Sequence, residues 1–213
     1  MQLTRFGHSC VRLERDGMIL VLDPGTAQFA HAAAALVGAD AVLVTHKHPD
    51  HLDVDAVRAA HAANANLQVV APHDALEALD GLGSAVRGVC PGEAFEIAGF
   101  GVRTVGGEHA EIYPGFEVPQ NIGYVIDGGA LYHPGDSFDP AGAAVDALLV
   151  PVQAPWSKIS EVIAFVRAVA PTRALAIHDG GLNDLGLGLV DRHVGTGGGA
   201  RYDRLPRGES VDL

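Results

Sequence analysis

Three short β-rich runs open the chain: Gln2–Phe6, Cys10–Glu14 and Met18–Leu22. Asp16-Gly17 between the last two is a hairpin signal, and Asp23-Pro24-Gly25 ends the third run. Ala27–Gly38 is Ala-rich and predicts a helix. Ala41–Val44 is apolar throughout, the pattern of a strand buried on both faces. A helix is expected after it, with Asp53 as N-cap and Leu52 and Val57 spaced as a hydrophobic staple. Gln68–Ala71 reads as a strand and His73–Leu79 as a helix. Further strands are expected at Ala94–Ile97, Gly101–Val105, Ile122–Asp127 and Ala130–His133. The rest alternates: strand Ala147–Pro151, helix Lys158–Ala170 stopped by Pro171, strand Ala174–Ile177, helix Asn183–His193. Strands first, alternation, strands again and alternation again predict layered sheets with helices outside.

No linker divides the 213 residues, so one domain over 1–213 is expected, with 194–213 a Gly-rich joint and short tail. With 48% hydrophobic and 19% charged residues the chain is globular. No run reaches the ~18 apolar residues of a membrane helix, and Met1–Arg5 lacks the apolar stretch of a secretory signal. Two cysteines far apart, Cys10 and Cys90, fit a reducing, cytoplasmic setting and carry no mark of a nucleophile. A net charge of −12 disfavours nucleic acid and membrane surfaces as partners.

Composition changes the picture at one residue type. There are 11 histidines against 14 Lys and Arg together, and His46-x-His48-x-Asp50-His51 packs four ligand-type side chains into six positions directly after a buried strand. In extended chain, His46 and His48 face one way and can grip one metal; past Pro49, Asp50 and His51 can serve a second. Unpaired imidazoles gain nothing from such crowding and repel when protonated. Three more candidates follow probable strands: His109, Asp136 in Pro134-Gly135-Asp136, and His178 in Ile177-His178-Asp179.

In this order the four blocks resemble the metallo-β-lactamase-fold hydrolases, over roughly residues 1–193. The resemblance implies an α/β fold, an αββα sandwich of two mixed sheets with helices on the outer faces. It implies a first metal on His46, His48 and His109, a second on Asp50, His51 and His178, and Asp136 between them. His48, where a Glu would suggest the di-iron electron-transfer branch, argues for a hydrolase. Gly7-His8-Ser9 and the small size look most like the ascorbate-6-phosphate lactonase-like branch and its neighbouring small hydrolases of uncharacterised activity, which makes His8 a candidate for substrate contact beside the plainer role of a hairpin residue bonded to backbone. With five His and two Asp ligands, zinc is the first expectation, with Mn, Fe and Ni also compatible.

The implied activity is hydrolysis of a lactone, ester or phosphodiester in a small anionic molecule, by water activated on two divalent ions, with Asp50 orienting it. Two other readings stay open: an RNA-processing or other nuclease, and a metal- or ligand-binding module without turnover. A homo-oligomer is compatible with the chain and not required by it. Tyr113-Pro114-Gly115-Phe116 could form a loop over the site. Trp156, the one tryptophan, could be an aromatic wall or a packing anchor. Lys158 reads as a solvated helix start, Gln120 and Asn121 as turn residues, His133 as a residue orienting a ligand, and His31, His61, His73 and His193 as surface residues.

Overall fold

The computed structural model describes residues 1–213 as two seven-stranded mixed sheets with four α-helices. The first sheet begins as a meander of β1 (Gln2–Gly7), β2 (Cys10–Arg15) and β3 (Met18–Leu22). It continues with parallel strands β4 (Ala41–Leu43), β5 (Gln68–Pro72) and β6 (Val86–Val89). The second repeats the plan. Antiparallel β7 (Ala94–Ile97), β8 (Phe100–Glu108), β9 (Gln120–Ile126) and β10 (Leu131–His133) lead to parallel β11 (Ala147–Pro151), β12 (Arg173–Ile177) and β13 (Arg201–Asp203). A last strand, β14 (Ser210–Asp212), returns to the first sheet beside β1.

Side-chain alternation decides the layering. Along β3, Leu20 and Leu22 point into a core shared with Phe100, Ile122, Tyr124 and Leu149 of the other sheet. Val21 points the opposite way, into a second core with α1 (Ala32–Ala35), Leu52 and Val57 of α2 (Val54–Ala63). Likewise Leu149 of β11 faces inward, while Leu148 and Val150 face Val162, Phe165 and Val166 of α3 (Ile159–Val169) and Val194 of α4 (Asp184–Gly197). Three apolar layers separated by two sheets form the αββα sandwich. No helix is long and apolar enough to cross a membrane.

The expected Asp53 cap is present: its side chain accepts the Ala56 N–H, and Leu52 and Val57 are both buried. The helix expected over Ala27–Gly38 shrinks to Ala32–Ala35, because neighbouring chain takes the preceding donors: Thr26 N–H bonds Pro49 O and His31 N–H bonds Phe6 O. Over His73–Leu79 only a 3-10 turn, His73–Ala75, is regular, its Asp74 exchanging bonds with Gln120 in both directions.

The largest departure is residues 194–213, expected as a joint and tail. Their first residues complete α4, and β13 and β14 then supply an edge strand to each sheet. The tail also reaches beneath the functional edge. The buried Arg5 guanidinium donates to Leu205 O and pairs with Asp179, one residue past His178. Arg5 backbone bonds Glu209 and Gly208. Removing one member of a buried ion pair costs about 3–5 kcal/mol, because it strands the other charge. Arg5→Met is therefore expected to lose stability of that order in a denaturant titration. Unchanged stability would mean that this pair does not tie the tail to the His178 loop.

Candidate metal centre

All seven expected ligands lie in loops at one edge of the two sheets. His46–His51 follow β4, His109 follows β8, Asp136 follows β10 and His178 follows β12. The backbone makes room by close approach at two glycines. A Cβ on Gly25 would lie 2.0 Å from Asp50 O, and one on Gly135, at φ +65°, would lie 2.1 Å from Asn121 Oδ1.

The donor atoms gather into three overlapping groups, each within 4.8 Å: His46, His48 and His109; His46, His51 and Asp136; His8, Asp50, His51 and His178. Second partners fix which ring nitrogen faces inward. His109 Nδ1 donates to Ala110 O at 2.6 Å, and His178 Nδ1 to Gln153 O at 2.5 Å. His51 Nδ1 donates to the Asp23 carboxylate at 2.6 Å. Thr45 gives its hydroxyl hydrogen to Asp23, so the same oxygen accepts from His46 Nδ1 at 3.0 Å. Carbonyl and carboxylate oxygens only accept, so these four rings turn Nε2 toward one another.

Those Nε2 atoms, with Asp136 Oδ1, are buried and have no hydrogen-bond partner. His51 Nε2 stands 3.1 Å from Asp136 Oδ1, and His178 Nε2 stands 3.0 Å from Asp136 Oδ2 and 3.5 Å from Asp50 Oδ2. Nitrogen lone pairs cannot face carboxylate oxygens at such distances in a buried space. A proton or a cation must stand between them. The residues present therefore fit a cationic metal centre.

Without metal, the electrostatics favour the proton. Burial is the largest influence on His178 and disfavours its charged form, yet Asp136 and Asp50 outweigh it and carry its pKa up to about 9. His51 is also buried, and Asp136 and Asp23 raise it well above its ordinary value. Burial opposes ionisation of Asp136 too, but His178, His51 and His109 hold it well below the usual carboxylate range. His46, desolvated and beside His51, moves well down.

His8 differs from the ligands. Its Nδ1 accepts the Gly180 N–H at 3.1 Å, so its hydrogen is on Nε2, 3.2 Å from Asp50 Oδ2. Its carbonyl accepts the His178 N–H. Buried in this way, His8 holds Asp50 and the His178 loop together. His133 is fully buried, donates to Ser9 O and accepts the Gly135 N–H, so it ties two loops and does not touch Asp136 through a hydrogen bond.

Asn121, expected as a turn residue, is a correction. It is a buried clamp, accepting the Asp136 N–H at 3.0 Å and donating to Pro134 O. The sequence marks Asp23 only as the end of a strand. It is fully buried and accepts from Thr45 and His51. A lone acid ending an apolar strand near a histidine-rich loop was the available signal. Trp156 is anchored by packing on Phe138 and donates to Asp136 Oδ2 at 3.1 Å. Lys158 is exposed and pairs with Glu161 at the start of α3. Lys47, between two ligands, reaches outward to Glu117 and Asp74.

A family model described as a beta-lactamase superfamily domain matches residues 2–178, ending on the last of the seven candidates. The chain belongs to the metallo-β-lactamase superfamily of metal-dependent hydrolases. It is 42% identical over 183 residues to Protein Rv0786c of Mycobacterium tuberculosis, covering 84% of each chain. It is 29% identical to a metal-dependent hydrolase of Thermoplasma acidophilum, over 81% of this chain and 80% of that one. Igni18, a metallo hydrolase from Ignicoccus hospitalis, shares the fold, with a TM-score of 0.74 at 22% identity over 99% of this chain and 97% of its own.

For this superfamily member the His178 shift carries a sign. Its folded pKa lies above the ordinary 6.5, so its proton stabilises the metal-free protein fully below that value and is lost as pH rises through about 9. At pH 7 an incoming metal ion must displace this proton. Calorimetric titration with Zn2+ in buffers of different ionisation enthalpy is expected to show proton release, and affinity is expected to rise with pH up to about 9. A binding heat independent of the buffer would contradict the pairing of His178 with the two carboxylates.

Proposed function

We propose that this protein is a dinuclear hydrolase acting on a lactone, ester or phosphodiester bond in a small anionic molecule in the cytoplasm. The observation that carries the reading is the division of the donors. His46, His48 and His109 form one group and Asp50, His51 and His178, with His8, another; His46, His51 and Asp136 form a third that joins them, Asp136 presenting one oxygen to His51 and the other to His109 and His178. A donor set of five imidazoles and two carboxylates suits zinc first and manganese, iron or nickel after it.

Bound divalent ions lower the pKa of water and offset negative charge building on an attacked carbonyl or phosphoryl oxygen. The chain's own residues do the rest. Asp50 is the more exposed of the two carboxylates, its side chain 21% accessible against 4% for Asp136. His178, His8 and His51 outweigh its burial and keep it ionised. It is therefore placed to accept a hydrogen from an entering water and orient it. His8 fixes the carboxylate plane through Nε2–H. Two divalent ions against two carboxylates leave the centre positive within a chain of net charge −12, which favours a small anion over a polyanionic strand.

Protein loaded with Zn2+ or Mn2+ is expected to hydrolyse at least one member of a panel of lactones, carboxylic esters and bis-p-nitrophenyl phosphate. His48→Ala and Asp136→Ala are expected to fall to background while staying folded by circular dichroism. Activity retained in both variants would refute the site. Turnover of RNA or single-stranded DNA would move the reading to a nuclease. A fully loaded protein inert to the whole panel would favour a binding module.

A further inference from the structure

The loop between β11 and α3 touches the candidate centre twice. Gln153 O takes the Nδ1 hydrogen of His178, and three residues on, Trp156 gives its indole hydrogen to Asp136 Oδ2. A tight turn sets this spacing: Ala154 N–H bonds Ser157 Oγ at 3.0 Å, and Ser157 Oγ and N–H both bond Ala154 O. Phe138 lies against the indole at a ring separation of 5.0 Å, and the His109 ring lies 6.0 Å away on the metal side.

Among the groups around the Asp136 carboxylate, Trp156 is the one permanent donor. The Nε2 atoms of His51, His109 and His178 face the same two oxygens. Each must give up any proton there before it can bind a metal, whereas an indole N–H does not ionise. Resting on the reading of Asp136 as the ligand between two ions, we propose that Trp156 is a positioning residue for the metal centre. Its N–H pins Oδ2 and sets the rotation at which Asp136 offers its remaining lone pairs to metal. Outer partners of this kind commonly contribute about 10–100-fold to metal affinity.

The test uses Zn2+ titrated into metal-depleted protein against a competing chelator. Native protein, Trp156→Phe and Phe138→Leu are compared, with thermal melts of each. Trp156→Phe keeps an aromatic ring and removes the donor. Phe138→Leu loosens the packing on the indole and keeps the donor. The expected result is affinity about 10–100-fold weaker in Trp156→Phe and close to native in Phe138→Leu. Because Trp156 is the only tryptophan, native emission is also expected to change in step with zinc occupancy, a readout that needs no variant.

Native affinity in Trp156→Phe, equal losses in both variants, or emission indifferent to bound zinc would each overturn the positioning role while leaving the metal centre standing. Native protein that takes up no zinc would overturn the underlying reading of Asp136, and the proposal with it.

Discussion

Four imidazoles have their Nδ1 hydrogens committed to oxygens that cannot move, and the functional edge is organised by that constraint. His109 and His178 are held by backbone carbonyls, His51 by Asp23, and His46 by a hydroxyl that Asp23 has itself oriented. Once those bonds form, four Nε2 atoms must meet in a buried space beside two ionised carboxylates. In ordinary folding such a cluster would be destabilising, since the four Nε2 atoms and Asp136 Oδ1 lose water without gaining a hydrogen-bond partner. The cluster persists because surrounding structure over-determines it, and a bound cation would turn the same crowding into binding energy.

Much of that surrounding structure lies outside the ligands. Asn121 and His133 fix the loop that carries Asp136. His8 joins the first hairpin to the His178 loop, and Arg5 joins that loop's Asp179 to the C-terminal segment. Three residues at this edge have left-handed backbone, His8 at φ 46°, Asp23 at φ 48° and His178 at φ 59°. Such conformations are costly for residues with a Cβ; His8 and His178 are held by a backbone bond between their two loops, and Asp23 by its N–H bond to Leu43 O. The two sheets supply the rigidity: each ligand loop leaves the end of a strand whose side chains alternate between two packed layers.

What was legible in the sequence was local. Ala41–Val44 followed by His46, His48, Asp50 and His51 announces a buried strand delivering ligands, and Asp53 announces the next helix. Ligands far apart in sequence, His109, Asp136 and His178, were placed by the family resemblance more than by their own neighbourhoods. Contacts that depend on distant chain were not legible. Asn121 looks like a turn residue until Pro134-Gly135-Asp136 folds against it, and nothing in Asp23-Pro24-Gly25 says that the acid faces His51. The short strands β13 and β14 carry too few apolar positions to announce themselves, and their order comes from pairing with β12 and β1.

The proposed function requires that two cations occupy this edge together. Native mass spectrometry, combined with elemental analysis, on protein purified without added metal or chelator reads that number directly. About two divalent ions per chain are expected, zinc foremost. A chain that carries none and takes up none on reconstitution would contradict the proposed function, because the inward-facing nitrogens and carboxylates would then be satisfied by protons alone.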